Sequence, residues 1–353
     1  MRVQQPSLIQ FEQLYFEHAP TLKCPCTQIS INYDNFISIE YSLHQVCNSI
    51  FVNDEWIYYL TTTNGTILYG DDFRVTGPYA FQALRMFCEL ATNTIASNLV
   101  QFYSSQYISG YVTPSAVFQA QVESKVSQFL SSMADSFLVS LKMIRETTQV
   151  NALFSGLQTN YQLYSSTGSG NVFVTAKTYD GCSCSLSSTC THQSSIYGYN
   201  TTKILFNVTG FYTGCNVIES LLQSNLECFY NQTCINGLQK YLLTSPMYVS
   251  ALGSSLYSRY LETTIINDLL DNLMVEQWSF NSSYSKCYAA CIPEYCSYQT
   301  IANNRKHKTI YIVFLVFFIL GGPLSVLKLL ISMLTKIIIC CVRKSPAQVV
   351  PEA

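Results

Sequence analysis

Cysteine is the residue type that gives this chain the most opportunity for chemistry. The sequence has 15 cysteines among 353 residues. Thiols can form disulfides in an oxidising compartment, ligate zinc, or act as nucleophiles beside a histidine. The 13 cysteines that precede residue 300 are Cys24, Cys26, Cys47, Cys88, Cys182, Cys184, Cys190, Cys215, Cys228, Cys234, Cys287, Cys291 and Cys296.

Disulfides are the chemistry that this pattern favours. Paired cysteines in zinc sites usually have at least two residues between them, whereas Cys24 and Cys26, like Cys182 and Cys184, have only one. We therefore predict no metal site and no cofactor, although these pairs could recruit His44 or His192 as further ligands. An odd number of cysteines leaves one free or bonded to another chain.

Catalytic motifs are missing from the sequence. It has no glycine-rich phosphate loop, no nucleophile elbow and no His-Glu-x-x-His helix. Cys47 and His44 could form a catalytic pair, but a cysteine among twelve others is expected in a disulfide. Only four histidines occur and charged residues make up 11% of the chain, which offers few groups for acid–base work. We predict that the protein is not an enzyme.

The charge distribution argues against nucleic-acid binding. The net charge is −2, and seven of the 19 basic residues, with one of the 21 acidic residues, follow residue 304. The first 304 residues therefore carry 12 basic and 20 acidic side chains, a balance of −8. Phosphate backbones are bound by clustered lysine and arginine, so no nucleic-acid partner is predicted.

Five N-glycosylation sequons precede the apolar end of the chain, and their position suits an external domain. Their number alone is close to what chance would give in a sequence this rich in asparagine, serine and threonine. The acceptor residues are Asn64, Asn200, Asn207, Asn231 and Asn281.

A long apolar segment lies near the C terminus. The 33 residues from Ile310 to Val342 are mostly apolar and exceed the roughly 20 that span a bilayer. Gly321, Gly322 and Pro323 divide them into two halves. We predict an extracellular domain over residues 1–304, a membrane and juxtamembrane helix over 309–342, and a cytoplasmic tail over 343–353.

The second half of this segment repeats polar residues on one helical face. In one interpretation this half lies at the membrane interface and its lysines extend to the headgroups. In the other, several copies of the chain line a polar path. Two cysteines beside basic residues are candidates for S-acylation. The polar residues are Ser325, Lys328, Ser332, Thr335 and Lys336, and the acylation candidates are Cys340 and Cys341.

Hydrophobic periodicity predicts an α+β domain with long central amphipathic helices and short strands. Strands are expected over 28–33, 36–41, 172–178 and 203–211, the first two in a small disulfide-linked β region that extends to residue 70. Helices are expected over 80–108, 216–230 and 261–278. Thr113 is the expected N-cap of a further helix, whose apolar stripe runs from Phe118 to Ile144. The Gly/Ser-rich residues 165–171 are a possible internal boundary.

The N-terminal residues conflict with this topology, because they contain no signal peptide. A C-terminal anchor alone would not translocate the preceding domain. We therefore expect a further membrane helix upstream of Met1. The alternative is a tail-anchored cytosolic protein, which fits the cysteine content less well.

Several segments resemble an uncharacterised family of invertebrate cysteine-rich membrane proteins with two membrane helices. They are residues 21–33 (TLKCPCTQISINY), 44–47 (HQVC) and 228–234 (CFYNQTC), together with residues 291–298 and the glycine-containing helix that follows. The resemblance implies a disulfide-rich external domain between two membrane helices and assigns no activity. The overall plan is similar to that of degenerin/epithelial sodium channel subunits, although Gly322 and Ser325 depart from the Gly-x-Ser filter of those channels.

Together these features predict a non-enzymatic glycoprotein of the plasma membrane that binds or senses an unknown extracellular partner. Membrane lipid and a second copy of the chain are the other expected partners. The alternative is a subunit of an oligomeric ion channel similar to the degenerin/epithelial sodium channels.

Overall fold

The computed structural model of the protein describes residues 1–61, 70–151, 153–165, 171–199, 201–242, 245–254 and 258–300. Beyond them it describes residues 311–312, 315, 319 and 327–339. The larger of two units comprises residues 2–17 and 23–296. The smaller unit comprises Met1, His18–Leu22 and residues 297–353.

Two long helices dominate the larger unit, and shorter helices and single 3₁₀ turns complete it. The α-helices are α1 (Leu8–His18), α2 (Asp54–Thr61), α3 (Phe73–Ser104), α4 (Ser115–Val150), α5 (Val217–Gln223), α6 (Glu227–Tyr230), α7 (Gln232–Gln239), α8 (Ile266–Leu270) and α9 (Tyr284–Cys291). The 3₁₀ turns are Tyr33–Asn35, Gln45–Asn48 and Ile50–Val52.

The strands pair two by two. They are β1 (Arg2–Gln4), β2 (Ser30–Asn32), β3 (Ile37–Leu43), β4 (Gln106–Ile108), β5 (Tyr161–Ser165), β6 (Val172–Ala176), β7 (Thr178–Tyr179), β8 (Cys182–Ser183), β9 (Thr191–Tyr197), β10 (Ile204–Gly214), β11 (Val275–Ser282) and β12 (Tyr295–Ser297). The pairs are β1 with β12, β2 with β4, β3 with β11, β5 with β6, β7 with β8, and β9 with β10.

The predicted mixture of long helices and short strands is confirmed. α4 follows the predicted stripe, since Phe118, Val122, Val126, Met133 and Phe137 are buried. The helix is longer than the stripe and runs for 36 residues. Its N-cap is Pro114 rather than the expected Thr113, whose hydroxyl is hydrogen-bonded to that of Tyr107 instead.

α3 begins seven residues before the predicted start at residue 80. Gly77 and Pro78, two residue types that are unfavourable in helix interiors, both lie inside the helix. Asp72 caps its N terminus by accepting a hydrogen bond from the Arg74 amide, 2.8 Å away. A Cβ on residue 77 would lie 2.9 Å from Cζ of Phe73, so glycine here makes room for the aromatic ring rather than ending the helix.

Two expectations about the C-terminal half are wrong. The predicted helix 261–278 contains only the short α8 and then enters β11. The predicted helix 216–230 is split into α5 and α6 by residues 224–226. β11 is a strand because it pairs with β3 at Trp278 and Tyr41, residues far apart in the sequence.

The predicted local β region over residues 21–70 is also wrong in its pairing. β2 and β3 pair with β4 and β11 respectively, not with each other. The residues from Gln45 to Thr61 are mostly helical. Asn64 and Gly65, a residue pair that favours a turn in the sequence, lie outside the described residues.

Aromatic side chains fill the largest core of the larger unit. The ring of Phe229 lies 4.9 Å from that of Phe81 and 5.1 Å from that of Phe51, and the ring of Trp56 lies 5.3 Å from that of Phe51. All four side chains are fully buried. Edge-to-face contacts of this kind stabilise a core beyond the burial of apolar area.

Six disulfides cross-link the larger unit, as the cysteine content predicted. The bonds are Cys24–Cys296, Cys26–Cys291, Cys47–Cys88, Cys182–Cys190, Cys184–Cys215 and Cys228–Cys234. The odd cysteine is Cys287, a buried thiol on α9. The first two bonds join the two ends of the unit, across sequence separations of 272 and 265 residues.

In the smaller unit, the amino group of Met1 donates a hydrogen bond to the carbonyl of Tyr298 at 2.6 Å. The ring of His18 stacks on that of Tyr298, with their centroids 4.2 Å apart. Within the part of the chain that the structure describes, no helix is both long enough and apolar enough to cross a membrane.

Candidate functional site

Disulfide bonds contain most of the cysteines that could otherwise ligate zinc or act as nucleophiles. Cys24 and Cys26, considered as a zinc pair, are bonded to Cys296 and Cys291. Cys47, considered as a nucleophile beside His44, is bonded to Cys88. A sulfur in a disulfide is neither a thiolate ligand nor a nucleophile.

The one free thiol among the described cysteines lies in an apolar environment. Cys287 faces a small cavity lined by Tyr284, Phe118 and the Cys26–Cys291 disulfide. Burial raises the pKa of the Cys287 thiol to about 11. The group is therefore protonated at physiological pH and unreactive, like other structural buried cysteines.

Three of the five sequon asparagines are described, and all three are exposed: Asn207, Asn231 and Asn281. The side chain of Asn231 caps α7, where Oδ1 accepts hydrogen bonds from the amides of Thr233 and Cys234. A glycan is attached through Nδ2, so this cap does not obstruct modification. Asn64 and Asn200 lie outside the described residues.

The predicted polar face of the membrane segment is described in part. Lys328, Ser332, Thr335 and Lys336 are exposed on the helical residues 327–339. The hydroxyl of Thr335 donates to the carbonyl of Ile331 at 2.9 Å, so its own helix satisfies it. Ser325, Cys340 and Cys341 lie outside the described residues.

A groove with a volume of about 730 Å³ lies beside the first turns of α4. β4, the segment that follows it and one face of α4 form its walls. Among the described residues that line it, Lys125 alone is charged. The lining includes Tyr33, Tyr107, Ser109, Thr113, Ala116, Ala120, Gln121, Ser124, Lys125 and Gln128.

A hydrogen-bond network fixes the polar wall of this groove. The hydroxyl of Tyr107 donates to Oε1 of Gln121 at 3.0 Å and lies 2.8 Å from the hydroxyl of Thr113. Because the phenol has one proton, Thr113 is the donor in the second contact. Burial raises the pKa values of Tyr107 and Tyr33, which keeps both phenols neutral. Neutral hydroxyl and amide groups beside the methyl groups of Ala116 and Ala120 suit an uncharged, polar ligand.

A second groove, of about 620 Å³, lies beside the C-terminal half of α4. The guanidinium of Arg145 donates two hydrogen bonds of 2.6 Å to the buried carboxylate of Glu219. Burial is the main reason why the pKa of Asp271, on the same wall, is raised. The charges of Arg145 and Glu219 neutralise each other, so this pair is not available to bind a charged ligand. We therefore consider this groove a weaker candidate for ligand binding than the groove beside the first turns of α4.

Sequence reasoning missed a buried polar cluster around His44. Its Nδ1 accepts a hydrogen bond from the Val46 amide, and its Nε2 lies 3.1 Å from the hydroxyl of Tyr230 and 3.8 Å from Glu276. Burial lowers the pKa of His44, and the charge of Glu276 opposes that effect. The ring is therefore neutral and protonated on Nε2. The cluster joins residues more than 180 positions apart, which no local pattern could reveal.

No known protein family, curated protein or solved structure matches this chain. Its function must therefore be inferred from its own residues.

Proposed function

We propose that this protein is a non-enzymatic glycoprotein of the plasma membrane, whose disulfide-bonded extracellular domain binds or senses an external partner. The observation that carries the proposal is the pair of disulfides Cys24–Cys296 and Cys26–Cys291. They close the domain at both ends, and Cys296 lies 14 positions before Ile310, where the apolar segment that would anchor the domain begins.

The redox state supports the extracellular location. Twelve of the 13 cysteines that precede residue 300 are paired in the six disulfides. Cytosolic glutathione and thioredoxin keep thiols reduced, so a framework of this density is typical of secreted and surface proteins. The exposure of Asn207, Asn231 and Asn281 agrees with glycosylation in the same compartment.

The groove beside α4 is the place that we assign to partner binding. Its hydroxyl, amide and phenol groups are held by hydrogen bonds within the domain, so they are already oriented before a ligand arrives. Pre-orientation reduces the entropy lost on binding. An uncharged polar ligand, such as a neutral sugar or the backbone of a peptide, matches this lining.

Cell-surface topology is tested by expressing the chain together with the expected upstream membrane helix and inserting an epitope tag between that helix and Met1. We expect an antibody to reach the tag on intact cells, and glycosidase treatment to increase gel mobility. Substituting Asn207, Asn231 and Asn281 by Gln should remove part of that mobility shift. A tag that is accessible only after permeabilisation, with mobility unchanged by glycosidase, would contradict the extracellular assignment.

An oligomeric ion channel is the second candidate, because Lys328, Ser332 and Thr335 share one face of the helical residues 327–339. Patch-clamp recording of cells that express the full chain separates the two functions. A current that Lys328→Glu alters would favour the channel. The absence of current under every stimulus would rule the channel out and leave the binding protein.

A further inference from the structure

β4 has a backbone edge that no strand of the described structure covers, because β4 pairs with β2 alone. The ladder of the two strands places Tyr107 opposite Ile31. Just beyond the strands, the Ser109 amide donates a hydrogen bond to the carbonyl of Ile29 at 2.9 Å. Bonded pairs of an antiparallel ladder recur at every second residue, so the backbone groups of Tyr107 are also directed towards β2.

The backbone groups of the residues between these pairs point the other way. The N–H and C=O groups of Gln106 and Ile108 are directed away from β2. Ser30, which lies opposite Ile108, follows the same alternation, since its carbonyl accepts a hydrogen bond from the Gln28 side chain rather than from β4. Within the part of the chain that the structure describes, no backbone group pairs with the outward edge of β4. Two donors and two acceptors, spaced about 7 Å apart along the strand, are thus open to a ligand.

This edge borders the groove beside the first turns of α4. Tyr107 and Ile108 line the groove on one side, and Ala116 and Ala120 line it on the other. The ring of Tyr107 lies 6.1 Å from that of Phe118, so α4 packs against one face of the ribbon that β2 and β4 form. The exposed methyl groups of Ala116 and Ala120 leave space for a further strand, which would lie about 4.8 Å from β4.

The groove is long enough for an extended segment of chain. Its α4 wall runs from Ala116 to Gln128, which is about 18 Å of helix. About five residues of extended chain span that distance. A segment that pairs with β4 would use its backbone along the edge and place alternate side chains against α4.

One lysine gives the groove a preference for negative charge. Lys125 is exposed in the lining and forms no ion pair within the described residues. The rings of Phe102 and Phe129 lie 4.5 Å apart, which places the end of α3, just before β4, beside the α4 turn that follows Lys125. Lys125 therefore lies towards the Gln106 end of the open edge. A carboxylate on a bound segment would complement it there.

We propose that this groove binds an extended peptide segment of a protein partner, which carries a carboxylate and adds a third strand to the ribbon along β4. The proposal rests on the binding role that we assign to the groove and specifies the partner. The uncharged lining meets the peptide backbone, and Lys125 meets the carboxylate. In this mode of recognition the main-chain hydrogen bonds supply affinity and the alternate side chains supply specificity. A neutral sugar has no backbone whose donors and acceptors repeat at the spacing of β4.

Peptides selected on the protein itself are the probe. A random library of ten-residue peptides on phage is selected against the full chain in detergent. Peptides that still bind Ala120→Trp are then removed, because that substitution fills the groove. We expect the remaining peptides to share an acidic residue near one end. Ser140→Trp is the matched control, since Ser140 is exposed on the same helix but lies outside the groove, and it should bind these peptides like the wild type.

Backbone pairing is tested on both partners of the new ladder. Ile108→Pro removes an outward N–H and leaves the bonds to β2 in place, and it should weaken binding about tenfold relative to Ile108→Ala, which keeps that N–H. N-methylation of the peptide at alternate residues should cause a similar loss, whereas N-methylation of the residues between them should not. Lys125→Glu should weaken binding about fivefold, and exchanging the acidic residue of the peptide for Lys should restore it.

Three results would overturn the proposal: a selection in which no peptide depends on the groove, equal binding by Ile108→Pro and Ile108→Ala, or an N-methylation series without alternation. Binding to an array of neutral glycans but to no peptide would overturn it in favour of a sugar ligand. Dimers of the full chain that Ile108→Pro dissociates would overturn it in favour of a second copy.

Circular dichroism and unchanged mobility on non-reducing gels verify that the variants fold. If Ile108→Pro does not fold, the N-methylated peptides decide the question, because they leave the protein unchanged. None of these results bears on the extracellular location, which the epitope tag and the glycosidase test separately. Failure of strand addition is therefore distinguishable from failure of the proposed function.

Discussion

Arg145 and Glu219 illustrate how a single buried charge constrains this fold. The Glu219 side chain is 4% exposed, and that of Arg145 is 31% exposed. Burying a carboxylate is tolerable only while its partner neutralises it and supplies its hydrogen bonds. The pair joins α4 to α5, two elements that share no local sequence signal.

Replacing Arg145 by Met should therefore lower the free energy of unfolding by about 3 kcal/mol, because Glu219 would remain buried without its partner. The further change Glu219→Met should recover most of the loss. Lys142→Met is the matched control on the same helix, since its partner Glu146 is exposed, and it should cost about 0.5 kcal/mol or less. Denaturant unfolding measures the free energy of unfolding of all three variants. Equal losses of that free energy for Arg145→Met and Lys142→Met would contradict this explanation.

His44 makes stability depend on pH. Burial lowers its pKa in the folded protein below the ordinary value of 6.5, so the unfolded chain binds a proton more readily. The stabilisation is complete above about pH 6.5 and is lost progressively as the pH falls below that value. Protonation of Nδ1 would also remove the hydrogen bond from the Val46 amide.

We expect the wild type to lose stability between neutral pH and pH 5, and His44→Gln to show a shallower loss over the same range. Chemical unfolding at a series of pH values compares the two slopes. Identical slopes would show that His44 is not the titrating group. The comparison of slopes remains valid even if the substitution lowers stability at every pH.

At the scale of elements, α4 could be predicted from the sequence and β11 could not. The stripe of α4 is local, because residues three and four positions apart bury one face of the same helix. β11 is set by pairing with β3, more than 230 positions earlier, and its own residues carry no comparable signal. The start of α3 was missed because Gly77 and Pro78 are typical helix breakers, and the packing of Phe73 explains only why residue 77 is glycine.

The candidate site, too, could be predicted from the sequence only in part. Cysteine numbers predicted a disulfide framework and one odd thiol, but the partners of Cys24 and Cys26 depend on how distant segments meet. The groove beside α4 combines Tyr33, Tyr107 and Gln121 from three separate segments. Their proximity follows from the fold and has no sequence signature.

The two terminal disulfides should stabilise the domain non-additively. Once Cys26–Cys291 is closed, Cys24–Cys296 closes only a small further loop. Its two sides have sequence separations of two, from Cys24 to Cys26, and five, from Cys291 to Cys296. From loop entropy, the loss of either bond alone should lower the free energy of unfolding by about 2 kcal/mol, because the other bond still closes the long loop. Losing both opens a loop of roughly 270 residues and should cost about 8 kcal/mol.

Serine variants of each pair and of both pairs test this expectation by denaturant unfolding. A double loss equal to the sum of the single losses would mean that the bonds act independently. Cys228–Cys234, which closes a loop of sequence separation 6, is the matched control for a short loop. Its removal should cost about as much as either terminal bond alone.

At the scale of the whole molecule, the disulfides, the exposed sequons and the scarcity of charge all favour the extracellular environment that we propose. A chain with 11% charged residues and 26 tyrosines gains solubility from hydroxyl groups and, in our proposal, from glycans.

Thiol counting on protein made in cells tests the extracellular assignment most directly. The full chain is denatured and alkylated before and after reduction, and the cysteines that precede residue 300 are read by peptide mass. We predict that Cys287 alone is alkylated before reduction and that the twelve cysteines of the six disulfides are alkylated only afterwards. Alkylation of all 13 without reduction would place the domain in a reducing compartment and contradict the proposed function.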